Sequence, residues 1–163
     1  MNKLLKNILS DMKVELYDEF DNNFTRGGFF GETWQRKRDG SPSHLVDSGK
    51  LSRSLRATIK GSSVSITSSE PYASIHNDGG EITVTRRMQR YFWAMHYRAR
   101  NEDKKQMYKA MALKKVGSKI VMPQRQFVGD HPKIRKAIQE IVQQNLDEYL
   151  AEMANNINGQ LNK

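Results

Sequence analysis

The sequence contains no cysteine, which excludes disulfides, thiolate zinc sites and cysteine nucleophiles together. Long hydrophobic runs are also missing: none approaches the ~18 apolar residues that a membrane span needs. The first residues interleave Lys and Asp with leucines and form no signal core. A soluble protein that stays where it is made, without a membrane partner, is expected. Histidine is scarce, and His44, His76, His96 and His131 include no pair at the helical spacing of a zinc site. His76, Asp78 and Glu81 could form a facial ligand set, but a turn beside two glycines accounts for the same residues without a metal. No serine lies in a Gly-x-Ser-x-Gly elbow, and neither Gly27-Gly28 nor Gly79-Gly80 opens a phosphate-binding loop. The carboxylate pairs Asp18-Glu19 and Asp147-Glu148 read as solvated helix surface. No catalytic residue, metal or cofactor is therefore expected.

Positive charge is what the sequence has in excess. Lys and Arg number 27 against 18 acidic residues, a net charge of +9. The excess sits in residues 86–119, where five arginines and six lysines are offset only by Glu102 and Asp103. Such a field attracts polyanions or an acidic protein surface, and salt weakens either attraction. A solvated helix surface would explain the same run without a partner. Within it, RRMQRYFWAMHYRAR interleaves arginines with aromatics, which stack on bases or fill a partner's pockets. Arg86, Arg87, Arg90, Tyr91, Trp93, Arg98 and Arg100 are the candidate contacts to a partner or to DNA. Met88, Tyr91, Phe92 and Met95 also make an ordinary apolar face.

With 163 residues and 37% hydrophobic content, the chain fits one domain spanning residues 1–163, with 86–119 as a basic helical insertion. Leu5, Ile8, Leu9, Met12, Leu16, Phe20 and Phe24 recur at steps of three and four, which predicts a core-facing helix over residues 1–24, ended by Gly27 and Gly28. Residues 29–46 are irregular, with an exposed loop at Gly40-Ser41-Pro42 and Trp34 as an anchor. Asp47, Ser48 and Gly49 can cap a short helix carrying Leu51 and Leu55. Leu55, Ala57, Ile59, Val64 and Ile66 alternate with polar residues across Gly61, the period-two pattern of a hairpin. Ser69 and Pro71 start a short helix with Tyr72 and Ile75 inward, and Ile82-Thr83-Val84 resumes a strand. Two helical segments with a recap at Asn101 follow, then a strand at Ile120-Val121-Met122 that Pro123 ends. Asp130 as cap and Pro132 in the first turn open a last helix, striped by Ile134, Ile138, Ile141, Val142, Tyr149, Leu150, Met153 and Ile157. The fold class is α+β: a small, mostly antiparallel sheet of about four strands packed on long N- and C-terminal helices.

Three blocks, in this order, carry a resemblance: HLVDSGKLSRSL from His44, PYASIHNDGG from Pro71 and MPQRQFVG from Met122. Together they resemble the Mu-like phage virion morphogenesis proteins, also described as tail completion or neck proteins of long-tailed phages. The matching turn residues are Ser48, Gly49, Leu51, Tyr72, Ala73, His76, Gly79, Pro123, Arg125 and Phe127. The resemblance implies a non-enzymatic structural subunit without cofactor that joins tail to head. It would be found in the virion and, during assembly, in the bacterial host cytoplasm. The implied partners are phage tail and head-connector proteins and further copies of the chain in a ring, with a monomer in isolation until a tail templates assembly. The alternative is a nucleic-acid-binding protein using residues 86–119.

Overall fold

The computed structural model describes residues 2–36, 45 and 48–161. The expected loop at Gly40-Ser41-Pro42, His44 and the Asp47 part of the first cap lie outside them. The chain divides into two compact units, Met1–Asn77 with Arg125–Lys163, and Asp78–Gln124.

The larger unit is framed by two helices. Helix α1 (Lys3–Arg26) is capped by Asn2, whose side-chain oxygen accepts from the Leu4 amide, and ends at Gly27 in the left-handed conformation (φ 66°). Its stripe buries Leu9, Leu16, Phe20 and Phe24. Two short strands follow, β1 (Gly28–Phe29) and β2 (Glu32–Thr33), joined through Phe30 and Gly31. Trp34 is buried beyond them, as its anchoring role requires. Next come α2 (Lys50–Arg53) and the hairpin of β3 (Leu55–Lys60) and β4 (Ser63–Ser68), in register from Leu55 opposite Ser68 to Lys60 opposite Ser63. The hairpin lies on α1 and buries its base at Leu55, while Ile59 near its tip is exposed.

After α3 (Ala73–Asp78), the chain returns to the larger unit at Arg125 and enters the last helix of the molecule (Pro132–Leu161). That helix runs antiparallel to α1, with Lys3 on Glu152 at 2.7 Å and Asn145 Nδ2 donating to Asp11 at 2.8 Å. Its cap is not Asp130. Because Pro132 is the first helical residue, His131 occupies the capping position, and its Nδ1 accepts from the Lys133 amide at 3.2 Å. Asp130 instead pairs with Arg135.

The smaller unit holds β5 (Gly80–Thr83), α4 (Arg86–Arg98), α5 (Glu102–Ala112) and β6 (Lys119–Met122), and the last helix is accordingly α6. Strands β5 and β6 pair antiparallel, Gly80 opposite Met122 and Thr83 opposite Lys119. Thr85 caps α4 through the Met88 amide, and Asn101 caps α5 through the Lys104 amide, the expected break and recap.

Among the described residues the architecture is α+β with antiparallel pairing, but the expected single sheet of about four strands is instead three separate two-stranded ribbons. The reason is that α1, and not a third strand, covers the apolar face of β3–β4, while β5 and β6 pair only with each other.

Candidate functional site

The core of the larger unit is aromatic: Phe20, Phe24, Phe29, Phe30, Trp34 and Phe127 cluster with Leu16, Leu51, Leu55 and Ile134. Phe127 lies 4.9 Å from Phe24 between ring centroids, and Trp34 lies 5.9 Å from Phe24. Leu51 of the first motif block and Phe127 of the third are both buried here, with Ala73 of the second packed against them. Residues distant in sequence thus meet on one side of α1.

Polar groups fix the third block in place. From Pro123 onward it runs without regular structure, so its peptide groups need partners from elsewhere. Asn23, fully buried on α1, donates Nδ2 to the Phe127 carbonyl at 3.0 Å and accepts from the Phe30 amide at 3.4 Å. Trp34 Nε1 donates to the Gln126 carbonyl at 2.7 Å. Asn77 Oδ1 accepts from the amides of Phe127 and Val128, each at 3.0 Å, and the Arg125 amide donates to the His76 carbonyl at 2.7 Å. Five backbone groups of residues 125–128 are gripped by α1, β2's exit and α3. We call this the latch. Sequence reasoning singled out neither Asn23 nor Asn77 as part of it. Asn23 lies three residues after Phe20 and seven after Leu16, on the apolar stripe, which was the available signal.

His76 is half-buried, its ring edge-on to Tyr72 at 5.8 Å. Its Nδ1 and Arg125 Nε are buried without a hydrogen bond among the described residues. Burial, and secondarily the Arg125 charge, push the His76 pKa down and favour the neutral ring. Tyr72 does not point inward as expected: it is 37% exposed, because α3 begins at Ala73 and leaves Tyr72 in the preceding turn. Ser69 is likewise not a cap; the Ser68 hydroxyl accepts from the Glu70 amide instead. At the first block, Gly49 is left-handed (φ 64°), the Ser48 carbonyl accepts from the Arg53 guanidinium at 2.7 Å, and no side chain caps α2 closely.

Gly79 and Pro123 fall in the smaller unit. Gly79 has φ 71°, and a Cβ there would lie 2.9 Å from the Gln124 amide nitrogen, so backbone conformation and close approach both require glycine.

In the smaller unit, α4 turns its inner face to α5. Phe92 stacks with Tyr108 at 6.4 Å, and His96 Nδ1 lies 2.9 Å from the Lys105 carbonyl. Two other edges of α4 remain open. Arg86, Arg90, Trp93 and Tyr97, at steps of four, three and four, share one edge, with Trp93 and Tyr97 stacked at 6.1 Å and Tyr97 77% exposed. Arg87, Tyr91 and Arg98 share the other, and Arg100 lies in the link to α5. The aromatic-basic run thus resolves into a helix with one internal face and two external ones. Among the described residues no group of three or more His, Asp or Glu side chains is placed to hold a metal ion.

The sequence profile of the phage virion morphogenesis family matches residues 30–147, a span that takes in all three motif blocks, the latch except Asn23, and the whole smaller unit. The chain belongs to the phage virion morphogenesis family. Its role is in assembling the phage virion, in association with other virion components. No curated protein and no solved structure matches the chain. The family span begins at Phe30 and ends at Asp147, so all of α1 and the last turns of α6 lie beyond it. Among the described residues no helix is long and apolar enough to cross a membrane.

Proposed function

We propose that the protein is a structural subunit of the phage neck, completing the tail and joining it to the head without catalysis. The observation that carries this reading is the family match over residues 30–147, which encloses all three motif blocks. The geometry supports it, since the residues of those blocks described in the larger unit serve packing and backbone satisfaction. The surfaces left over, chiefly the open edges of α4, then serve contact with neighbours: tail and head-connector proteins, and further copies in a ring. A ring needs two different complementary patches on each subunit. The site of action is the virion, and before that the host cytoplasm where virions are built. Deleting the gene from its phage should leave filled heads and finished tails unjoined, as seen by electron microscopy of lysates. Normal joined virions from the deletion would sink the proposal.

The open edge of α4 favours one second reading, contact with the DNA path through Arg86, Arg90 and Trp93. A gel-retardation assay on duplex DNA separates the two: tight binding with a steep salt dependence would favour nucleic acid.

A further inference from the structure

Helix α6 carries an apolar stripe that no other element covers among the described residues. Leu146, Leu150, Met153 and Ile157 are 37%, 60%, 44% and 54% exposed and share one face. Their face is turned from the side that meets α1, which holds Ile138, Ile141 and the buried Asn145. Four large exposed apolar side chains in a row mark a contact surface more often than a solvated one. Residues 137–161 contain Glu140, Asp147, Glu148 and Glu152 and no Lys or Arg. Glu148 and Glu152 face the α1 side, where Glu152 holds Lys3, while Glu140, paired with Lys136, and Asp147 share the other flank of the helix, next to the stripe. Asp147 and Glu148 each receive only a glutamine amide from their own helix.

The open edge of α4 is its complement. Arg86, Arg90, Trp93 and Tyr97 repeat the steps of four, three and four that separate Leu146, Leu150, Met153 and Ile157. Each stripe is about 16 Å long at 1.5 Å per residue. One offers two guanidinium groups and a stacked aromatic pair, the other aliphatic side chains flanked on one side by Glu140 and Asp147. Large aromatic and arginine anchors set in an apolar partner are the usual composition of strong contacts.

We infer that the α6 stripe of one copy docks on the Arg86–Arg90–Trp93–Tyr97 edge of α4 in a second copy. The two patches carry opposite charge, so stripe against stripe or edge against edge would place like charges together. The contact is therefore head-to-tail, the type that propagates and closes into a ring. The inference rests on the neck-subunit reading and supplies its copy-to-copy surface.

The absence of cysteine allows a direct test. A chain carrying both Leu150→Cys and Tyr97→Cys is treated with a short bismaleimide, as purified protein at high concentration and in lysates of cells assembling the phage. A ladder of covalent oligomers is expected in at least one of the two, with each single-cysteine chain remaining monomeric. Only monomer in both, or a cross-link confined within one chain, would overturn the contact. As a second arm, Arg86→Glu/Arg90→Glu and Glu140→Lys/Asp147→Lys should each weaken association by at least about tenfold, and mixing the two variants should restore it. If the arginine variant loses only duplex-DNA binding while association is unchanged, the edge serves nucleic acid and the inference fails. A phage that yields joined virions without the gene overturns the neck reading alone, since the ladder is read on the protein itself.

Discussion

Asn23 is the side chain whose removal tests the latch most directly. In Asn23→Ala, the Phe127 carbonyl and the Phe30 amide would lose partners within residues that are 2% and 7% exposed. A buried group stripped of its partner costs about 1–3 kcal/mol. The 3.0 Å bond to Phe127 falls in the middle of that range and the 3.4 Å bond to Phe30 at its low end. The sum is about 3 kcal/mol, or roughly 6–12 °C in Tm for a chain of this size. Urea unfolding followed by Trp34 fluorescence is the assay, in a Trp93→Phe background so that the signal comes from the latch residue alone. The midpoint should fall with the slope m unchanged. Asn23→Leu separates hydrogen bonding from packing, because it fills the space yet leaves the same two groups unpaired. It should lose about as much as alanine. A loss below about 1 kcal/mol in both variants, with m unchanged, would show that the latch does not hold the third block.

Further measurements probe the other features. With the His76 pKa lowered in the fold, the unfolded chain takes up its proton first; the stability His76 contributes is present above about pH 6.5 and lost as pH falls through the folded value. His76→Gln should flatten the stability–pH profile below neutrality, and an unchanged slope would refute the assignment. Gly79→Ala should cost at least about 1–2 kcal/mol through its left-handed backbone, with the close Gln124 amide adding to that, read as faster amide exchange in β5 and β6. Raising salt to about 0.5 M should slow exchange in α4 and α5 by screening their mutual repulsion while weakening copy-to-copy association; parallel changes would argue against the charge reasoning.

The long elements were legible because their periodicity extends over many turns. Helix α1 ends at the paired glycines, and the β3–β4 hairpin and the recap at Asn101 lie where the pattern places them. The β1–β2 ribbon was not legible. Its two-residue turn has Phe30 at φ 49° and Gly31 at φ 113°, a geometry that usually selects Asn-Gly. Phenylalanine bears that strain because its ring is buried and stacked on His131 at 4.5 Å, which is tertiary information. The latch was hidden for the same reason: Asn23 sits at an apolar position of α1, and nothing local names Phe127 as its partner. In the third block, Phe127 was foreseeable as a motif residue, but its role as a gripped peptide group was not.

The α6 stripe shows where periodicity misleads. Leu150, Met153 and Ile157 continue the apolar pattern of Ile134 and Ile138, so a single core-facing stripe over the whole helix is the natural expectation. The two groups nevertheless diverge around the helix, and α1, with 24 residues to the 30 of α6, begins at Lys3 beside Glu152 and so leaves the final turns without a helical neighbour. The core does not depend on them, since every member of the aromatic cluster and of the latch lies elsewhere. Each large apolar side chain left in water forgoes about 1.5–3 kcal/mol that burial would supply. A helix end serving the fold alone would lose nothing with polar residues at those four positions. The same holds for the cations of α4, which repel one another across a unit whose fully buried apolar side chains among the described residues are Val84 and Ala112. Two surfaces that each leave the isolated subunit short of stability, one apolar and acidic and the other aromatic and basic, recover that stability together when one subunit meets the next.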